Sequence, residues 1–244
     1  VVRLTLDRPE KRNALDSRTC DMLVQALEQS NRAAGVGAVL LDAIGPVFCA
    51  GMDLDESLQP DAVERTAIHE RLFTAAFWMD KPVVAAVAGG AFAGGVGLVA
   101  NAHLVIADTD AKFSLPEVTL GMWPFVVWKS VVHALGERRT MELALTGRVF
   151  SATEALQWGL TTQLVTRGEL EGTAIETTEK LAGYSPEVIR RGFDLARRSR
   201  QLDWGGAAAA AVSLRAEMLL SEDFREGVRA FREKRFPNWP SVPI

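Results

Sequence analysis

Residues 83–97 read Val-Val-Ala-Ala-Val-Ala-Gly-Gly-Ala-Phe-Ala-Gly-Gly-Val-Gly, and this stretch decides the fold. Val83–Val87 is a continuous apolar run of strand length. Such runs suit strands of a parallel sheet that is covered on both faces. The glycines that follow let other atoms approach the backbone closely, and a short helix near Val96–Ala102 leads into a strand at His103–Ala107. Upstream, Val1–Leu6 alternates with Arg3 and Thr5 as a half-exposed strand does. A polar loop at Asp7–Asn13 precedes a helix that starts at Asp16 or Ser17 and runs to about Ala33. Ala38–Ala43 is a short apolar strand, and Val47–Asp55 is a Gly-containing loop. A second helix is expected over Asp61–Met79, ended before Pro82. Strand–helix alternation of this kind implies right-handed parallel crossovers. Beyond Glu117 helices dominate, at about Pro124–Leu135, Glu137–Leu145, Ala152–Trp158, Glu169–Ala182, Pro186–Arg200, Gly206–Leu219 and Asp223–Arg235. Ser151 and Glu154 form a capping-box signature at the third of these.

The chain has 244 residues, enough for one large domain that buries most of its unfolded surface without staples. It carries 27 Lys+Arg against 31 Asp+Glu, a formal net charge of −4. That balance speaks against a nucleic-acid partner, which needs a basic footprint. Two cysteines with no CxxC exclude a disulfide framework and a zinc ribbon, and three histidines make no HExxH, so no metal site is expected. No apolar run reaches membrane-spanning length, and no signal peptide is visible, so a cytoplasmic protein without a membrane partner is expected. The chain opens on Val1-Val2-Arg3 in mid-strand, so its true N-terminus is expected upstream. The apolar content is 48% before the 20 glycines are counted, a surplus that must be hidden in a core, a ligand site or between subunits.

The glycine segment admits three readings. Gly95-Val-Gly97-Leu-Val-Ala100 fits a dinucleotide fingerprint, but the strand ends too early, and Asp108 and Asp110 come too soon for its acidic partner. Close packing of a buried helix is the second. The third is a site for a developing oxyanion, which needs two convergent N–H donors. A second Gly-containing loop, Phe48-Cys-Ala-Gly-Met-Asp-Leu54, makes the third attractive, because each loop can supply one donor. A further segment, Phe113-Ser-Leu-Pro-Glu-Val-Thr-Leu-Gly121, sets Glu117 among apolar neighbours. Desolvation there would raise its pKa toward that of a general base; a buried Glu serving a backbone N–H is the plainer alternative.

Order, spacing and residues of these segments together resemble the crotonase superfamily, the enoyl-CoA hydratase/isomerase family. Arg8-Pro-Glu-Lys-Arg-Asn-Ala-Leu15, Lys81–Gly89, Ala93-Gly-Gly95, Leu145-Thr-Gly-Arg148, Ala155–Leu160 and Phe231-Arg-Glu-Lys-Arg235 extend the resemblance over essentially the whole chain. It implies an α/β fold, the crotonase (ClpP-like) spiral of ββα repeats, with residues 1–185 as the core and 186–244 as a helical trimerisation region. It implies an acyl-CoA thioester as substrate, coenzyme A being part of that substrate with no other cofactor required, and a homotrimer or a hexamer built as a dimer of trimers. By the same resemblance, the N–H groups of Met52 and Gly94 would hold the thioester oxygen. Ala50, Asp53, Leu54 and Asp55 would line the CoA path. Lys11 or Arg12 could meet its phosphates, and Phe231 and Lys234 would reach CoA from the C-terminal helix, often in a neighbouring subunit.

The sequence departs from the family's hydratases in ways that bear on the reaction. Those enzymes use two glutamates; the second corresponds to Glu117, but Gly97 stands at the first position. Adding water needs both its ends handled, whereas a 1,3-proton shift needs one base. Double-bond isomerisation is therefore the expected activity, with 2-enoyl-CoA hydration, or acyl-CoA binding without turnover, as alternatives. Glu70 could replace the missing carboxylate, or be a solvated side chain. Trp123 and Phe125, with Gly97, are expected at a bulky acyl pocket. Phe125 falls where the family's dehalogenases carry a nucleophilic Asp, which excludes that chemistry. His103 is expected to be structural.

Overall fold

A computed structural model describes residues 1–60, 63 and 65–242; the expected start of a helix at Asp61 and the last two residues of the 186–244 region lie outside them. Five strands form one wholly parallel sheet: β1 (Val2–Leu6), β2 (Val39–Ala43), β3 (Val83–Val87), β5 (Leu104–Asp108) and β8 (Gln163–Val165), side by side in that order. A second sheet orders β4 (Gly90–Phe92), β6 (Lys112–Ser114) and β7 (Phe150–Ser151), with β4 and β6 parallel. The apolar run of β3 has the predicted cause. Val83, Ala85 and Val87 join the main core, while Val84 and Ala86 meet Leu170 and Ala174 on the opposite face.

The helices cover those two faces. Helix α1 (Ser17–Arg32) starts where the Asp16 carboxylate accepts the Thr19 N–H at 2.7 Å. It buries Cys20, Leu23, Val24 and Leu27, the i, i+3, i+4, i+7 stripe of an amphipathic helix. Helix α2 (Leu54–Ser57) is a single turn, and α3 (Thr66–Phe73) packs on α1 and on α4 (Gly94–Asn101). The expected helix to Met79 is shorter, since α3 stops at Phe73 and a 3₁₀ turn, Ala75–Phe77, completes the path. Helices α5 (Trp128–Leu135), α6 (Glu137–Thr146) and α7 (Ala152–Trp158) follow, and α7 opens on the predicted capping box. The start expected at Pro124 moves to Trp128, because residues 125–127 form a turn instead. Helix α8 (Leu170–Ala182) covers the far face of the first sheet.

Helices α9 (Pro186–Ser199), α10 (Trp204–Leu220) and α11 (Glu222–Glu233) end the fold. The chain after α11 is strapped back: buried Asp223 accepts the Ser241 N–H at 2.9 Å, and the Trp239 indole donates to the Gly183 carbonyl at 2.7 Å. His103 is structural, as expected. Its Nδ1 accepts the Val83 N–H at 3.0 Å, its ring stacks on Phe193, and burial pushes its pKa down to about 4. Three arginines of α9 are engaged within the chain, Arg197 with Asp80, Arg191 with Glu217 and Arg198 with Asp194. Among the described residues, no helix is long and apolar enough to cross a membrane.

Candidate active site

The chain leaves β3 through Gly89, at φ +68, where a Cβ would stand 1.8 Å from the Pro46 carbonyl oxygen. Only glycine admits that approach, and it lets the Val47–Met52 segment lie against β4. The Phe48 N–H donates to the carbonyls of Ala88 and Gly90, Cys49 bridges Ala91, and the Phe92 N–H returns to the Cys49 carbonyl. Strand β4 is a three-residue strand inside what the sequence presents as a turn. It sets the two Gly-containing loops edge to edge.

At their ends Gly51 meets Gly94. A Cβ on Gly51 would lie 3.2 Å from the Gly94 nitrogen and 2.7 Å from Ala93 Cβ. The next amide in one loop belongs to Met52; in the other it is that of Gly94 itself, the first residue of α4. Neither donates a hydrogen bond among the described residues. The amides flanking Met52 are taken, by Cys49 Sγ and by the Leu15 carbonyl. Ala93, just before Gly94, holds φ 49 and ψ −117, a conformation L-residues rarely adopt. Strain of that kind costs about 1–3 kcal/mol and persists only where surroundings impose it.

The carboxylate arrives from the neighbouring strand. The Ala93 N–H donates to the Ser114 carbonyl at 2.9 Å, so the chain leaves β4 and β6 side by side. Three residues beyond Ser114, Glu117 sits in the first turn of a 3₁₀ helix, Pro116–Leu120. Its Oε2 is buried without a hydrogen-bond partner. Burial raises its pKa above the ordinary carboxylate value, opposed by its own backbone N–H. Gly97, one turn into α4, has no room for a side chain: a Cβ would come within 2.3 Å of Val127 Cγ1 and 2.9 Å of Phe73 Cδ1. Where the sequence lacks a carboxylate, the structure has an apolar floor. Trp123 is half-buried against Trp128, with ring centroids 5.4 Å apart, and Phe125 is 69% exposed.

Of the other predicted residues, Lys11, Arg12, Ala50, Asp53, Leu54 and Asp55 gather around the Met52 loop, while Phe231 and Lys234 lie at the C-terminal helices. Asp53 is buried, pairs with Arg8 at 3.0 Å and accepts the Asp55 N–H, which fixes the turn after Met52. Burial opposes its ionisation, but Arg8 and the Asp55 N–H more than offset that, and its pKa falls below the usual value. Lys11 pairs with Asp55 at 2.8 Å on the surface, Arg12 is exposed, and the Ala50 N–H is held by the Arg12 carbonyl. Leu54 is half exposed. Phe231 is 85% exposed on α11; Lys234 lies just past that helix, in the left-handed conformation that caps it, rather than within it as expected. A groove of about 600 Å³ between α9, α10 and α11 is lined by Val188, Met218, Phe224, Phe231 and Trp239, and shares no residue with the cleft. Glu70 is exposed on α3. Its neighbour His69 is half-buried, with a covered Nε2 that has no partner among the described residues.

Comparison with known proteins agrees with this architecture. Residues 1–241 match the family model described as Enoyl-CoA hydratase/isomerase. The chain is 32% identical to the mevalonyl-coenzyme A hydratase of Aspergillus fumigatus over 98% of its length and 91% of that protein. It is also 32% identical to the carnitinyl-CoA dehydratase of Proteus mirabilis, over 98% and 94%. The crystal structure of enoyl-CoA hydratase from Mycobacterium smegmatis superposes with a TM-score of 0.90 at 30% identity, covering 97% of this chain and 94% of that one. A whole-chain family match and a fold shared with crystallised enoyl-CoA hydratases lead to one assignment: the chain belongs to the enoyl-CoA hydratase/isomerase family.

Proposed function

We propose that this protein binds an acyl-CoA thioester and stabilises its enolate, with the thioester oxygen between the N–H groups of Met52 and Gly94 and Glu117 as the single acid–base group. The observation that carries the reading is the pair of unengaged amides on abutting loops, with a buried carboxylate, one oxygen unpaired among the described residues, on the segment that follows β6, the strand paired with β4. Two preorganised donors stabilise charge that develops in the transition state, and each is typically worth about 10²–10³ in rate.

Double-bond isomerisation suits this set of groups best. Glu117 takes a proton from C2 of a 3-enoyl thioester, and the electron pair moves into the carbonyl as the enolate. The same carboxyl returns the proton to C4, and the double bond ends at C2–C3. One base serves both halves, and the floor at Gly97, made of Phe73 and Val127, offers no group to activate water. Hydration is the second reading, favoured by the hydratase and dehydratase names of the relatives. Turnover of 3-enoyl-CoA and 2-enoyl-CoA by the purified protein separates the two. Glu117→Gln should abolish either activity while CoA binding persists, and full activity in that variant would refute the mechanism. CoA binding with turnover of neither thioester would instead favour a non-catalytic binding protein.

The same proposal makes the chain a homotrimer or a hexamer. Phe231 and the apolar groove of α9–α11 would then be covered by another copy, and Lys234 presented to CoA in a neighbouring cleft. Sedimentation equilibrium tests this directly: a monomer at micromolar concentration would contradict it.

A further inference from the structure

Glu117 is placed by its turn rather than by a partner. Among the described residues its Oε2 has no hydrogen-bond partner, and the N–H that eases its charge is its own. Such a carboxylate points where its backbone puts it, so whatever fixes residues 114–119 fixes the base. Those residues rest on Gly147. A Cβ there would lie 3.4 Å from Thr119 Cγ2 and 3.5 Å from both Pro116 Cα and Val118 Cγ1. The buried Ser114 hydroxyl donates to the Gly147 carbonyl at 2.9 Å. Gly147 is itself held: it caps α6 in the left-handed conformation, with its N–H donating to the Leu143 carbonyl at 2.9 Å. The next residue, Arg148, pairs with Glu142 of α6 at 2.6 Å and with Glu154 of α7 at 3.0 Å, and its guanidinium lies 5.4 Å from the centroid of the Trp158 ring. The Ser114 side chain is thus tied to a corner braced by two helices. Its backbone reaches the other half of the site. Ser114 pairs with Phe92 across β4 and β6, and its carbonyl accepts the Ala93 N–H, one residue before Gly94.

We propose that Ser114 is the positioning residue of the site: bonded through Oγ to Gly147 and through its carbonyl to Ala93, it fixes the Glu117 carboxylate relative to the Gly94 amide. This rests on the enolate reading above and adds to it a residue that acts through Glu117 rather than on the substrate. Proton transfer and oxyanion stabilisation must act on one bound thioester together, so an error in the spacing of base and donor costs rate even when both groups are intact. A misplacement of about 1 Å can cost about 10²-fold. Ser114→Ala removes the tie to Gly147 and keeps the backbone tie to Ala93, so it loosens the base and spares the donor.

The test is steady-state turnover of 2-hexenoyl-CoA and 3-hexenoyl-CoA by the unaltered protein, Ser114→Ala, Ser114→Cys and Glu117→Gln, followed across pH. For whichever thioester the unaltered protein turns over, Ser114→Ala should lose about ten- to a hundredfold in kcat with KM within about twofold. The acid limb of kcat/KM should also move down toward 4.5, the ordinary glutamate value, because a carboxylate no longer held in its buried place is better hydrated. A hydroxyl that served folding alone would move neither readout in a folded variant. Ser114→Cys keeps the size but is a weak donor, so it should fall between the two proteins, and it serves if the Ala variant does not fold. Unchanged kcat and pH profile in Ser114→Ala, or full kcat in Ser114→Cys, overturns the role of Ser114 and leaves the enolate reading standing as long as Glu117→Gln is inactive. Full activity in Glu117→Gln, or turnover of neither thioester by the unaltered protein, overturns the enolate reading and the role of Ser114 with it.

Discussion

Gly97 and Val127 are packed so closely that a Cβ on Gly97 would meet Val127 Cγ1 at 2.3 Å, with Phe73 closing the other side. Val127 is 1% exposed and Phe73 is 2% exposed, so neither has free space to retreat into. A side chain at position 97 would therefore have to displace two buried apolar side chains. Overpacking of this kind costs about 1–3 kcal/mol. Gly97→Ala should lower the unfolding free energy by that amount, and Gly97→Glu should lower it further without raising 2-enoyl-CoA hydration. A Gly97→Glu protein of full stability with enhanced hydration would show that the floor opens easily.

Glu117 should leave its mark on both rate and stability. Its pKa is raised in the folded state, so the folded protein holds its proton at pH values where the unfolded chain has lost it. Ionising this carboxyl therefore destabilises the fold as pH rises from the ordinary value through the raised one, and the penalty is absent below the ordinary value. Glu117→Gln is then expected to melt higher than the unaltered protein at neutral pH, with the advantage fading in acid. In the proposed mechanism the carboxylate is the active form, so kcat/KM should fall on acidification with its midpoint above 4.5, the ordinary value for glutamate. Parallel melting curves at every pH, or a midpoint at or below that value, would contradict desolvation of Glu117.

Much of this site is written in short-range signals, and some of it is not. Strand β3 could be read because both its faces are covered, which makes it apolar throughout. The helix caps at Asp16 and Ser151 were visible because capping is local chemistry. Strands β4 and β6, three residues each, were invisible: their pairing depends on partners 20 or more residues away, and glycine in β4 mimics a turn. The Phe73–Val127 floor is a meeting of α3 with the chain before α5, and nothing local announces it.

Arg8 and Asp53 hold the Met52 loop from beneath. The Arg8 guanidinium lies 3.0 Å from Asp53 and also donates to the Ala14 carbonyl at 2.6 Å. Asp53 is almost wholly buried, and its pKa is depressed. Its contribution to stability is present above the ordinary carboxylate value and is lost as pH falls through the lowered one. Arg8→Ala leaves a buried carboxylate without its counter-ion. The expected cost is about 1–3 kcal/mol, below that of a fully buried pair because the guanidinium is a quarter exposed. The loss should be largest near neutral pH and shrink on acidification as Asp53 takes up a proton. A pH-independent loss would assign the effect to packing of the Arg8 stem.

Ala93 offers the sharpest separation of stability from activity. At φ 49 and ψ −117 it occupies a region that glycine enters freely and alanine does not. Its Cβ also stands against Gly51, so strain and close contact act on the same peptide that presents the Gly94 N–H. Ala93→Gly removes about 1–3 kcal/mol of strain but gives the unfolded chain more freedom, which returns about 0.5–1 kcal/mol. The variant should therefore melt at the same temperature as the unaltered protein or slightly higher. The Gly94 amide, no longer held by a stiff neighbour, should be less well aimed. Donor placement matters to the transition state more than to the bound thioester, so kcat should drop by about tenfold or more with KM little changed. A variant that is less stable and fully active would reverse both halves of the argument: the Ala93 conformation would then be unstrained, and the orientation of the Gly94 N–H would be fixed by α4 alone.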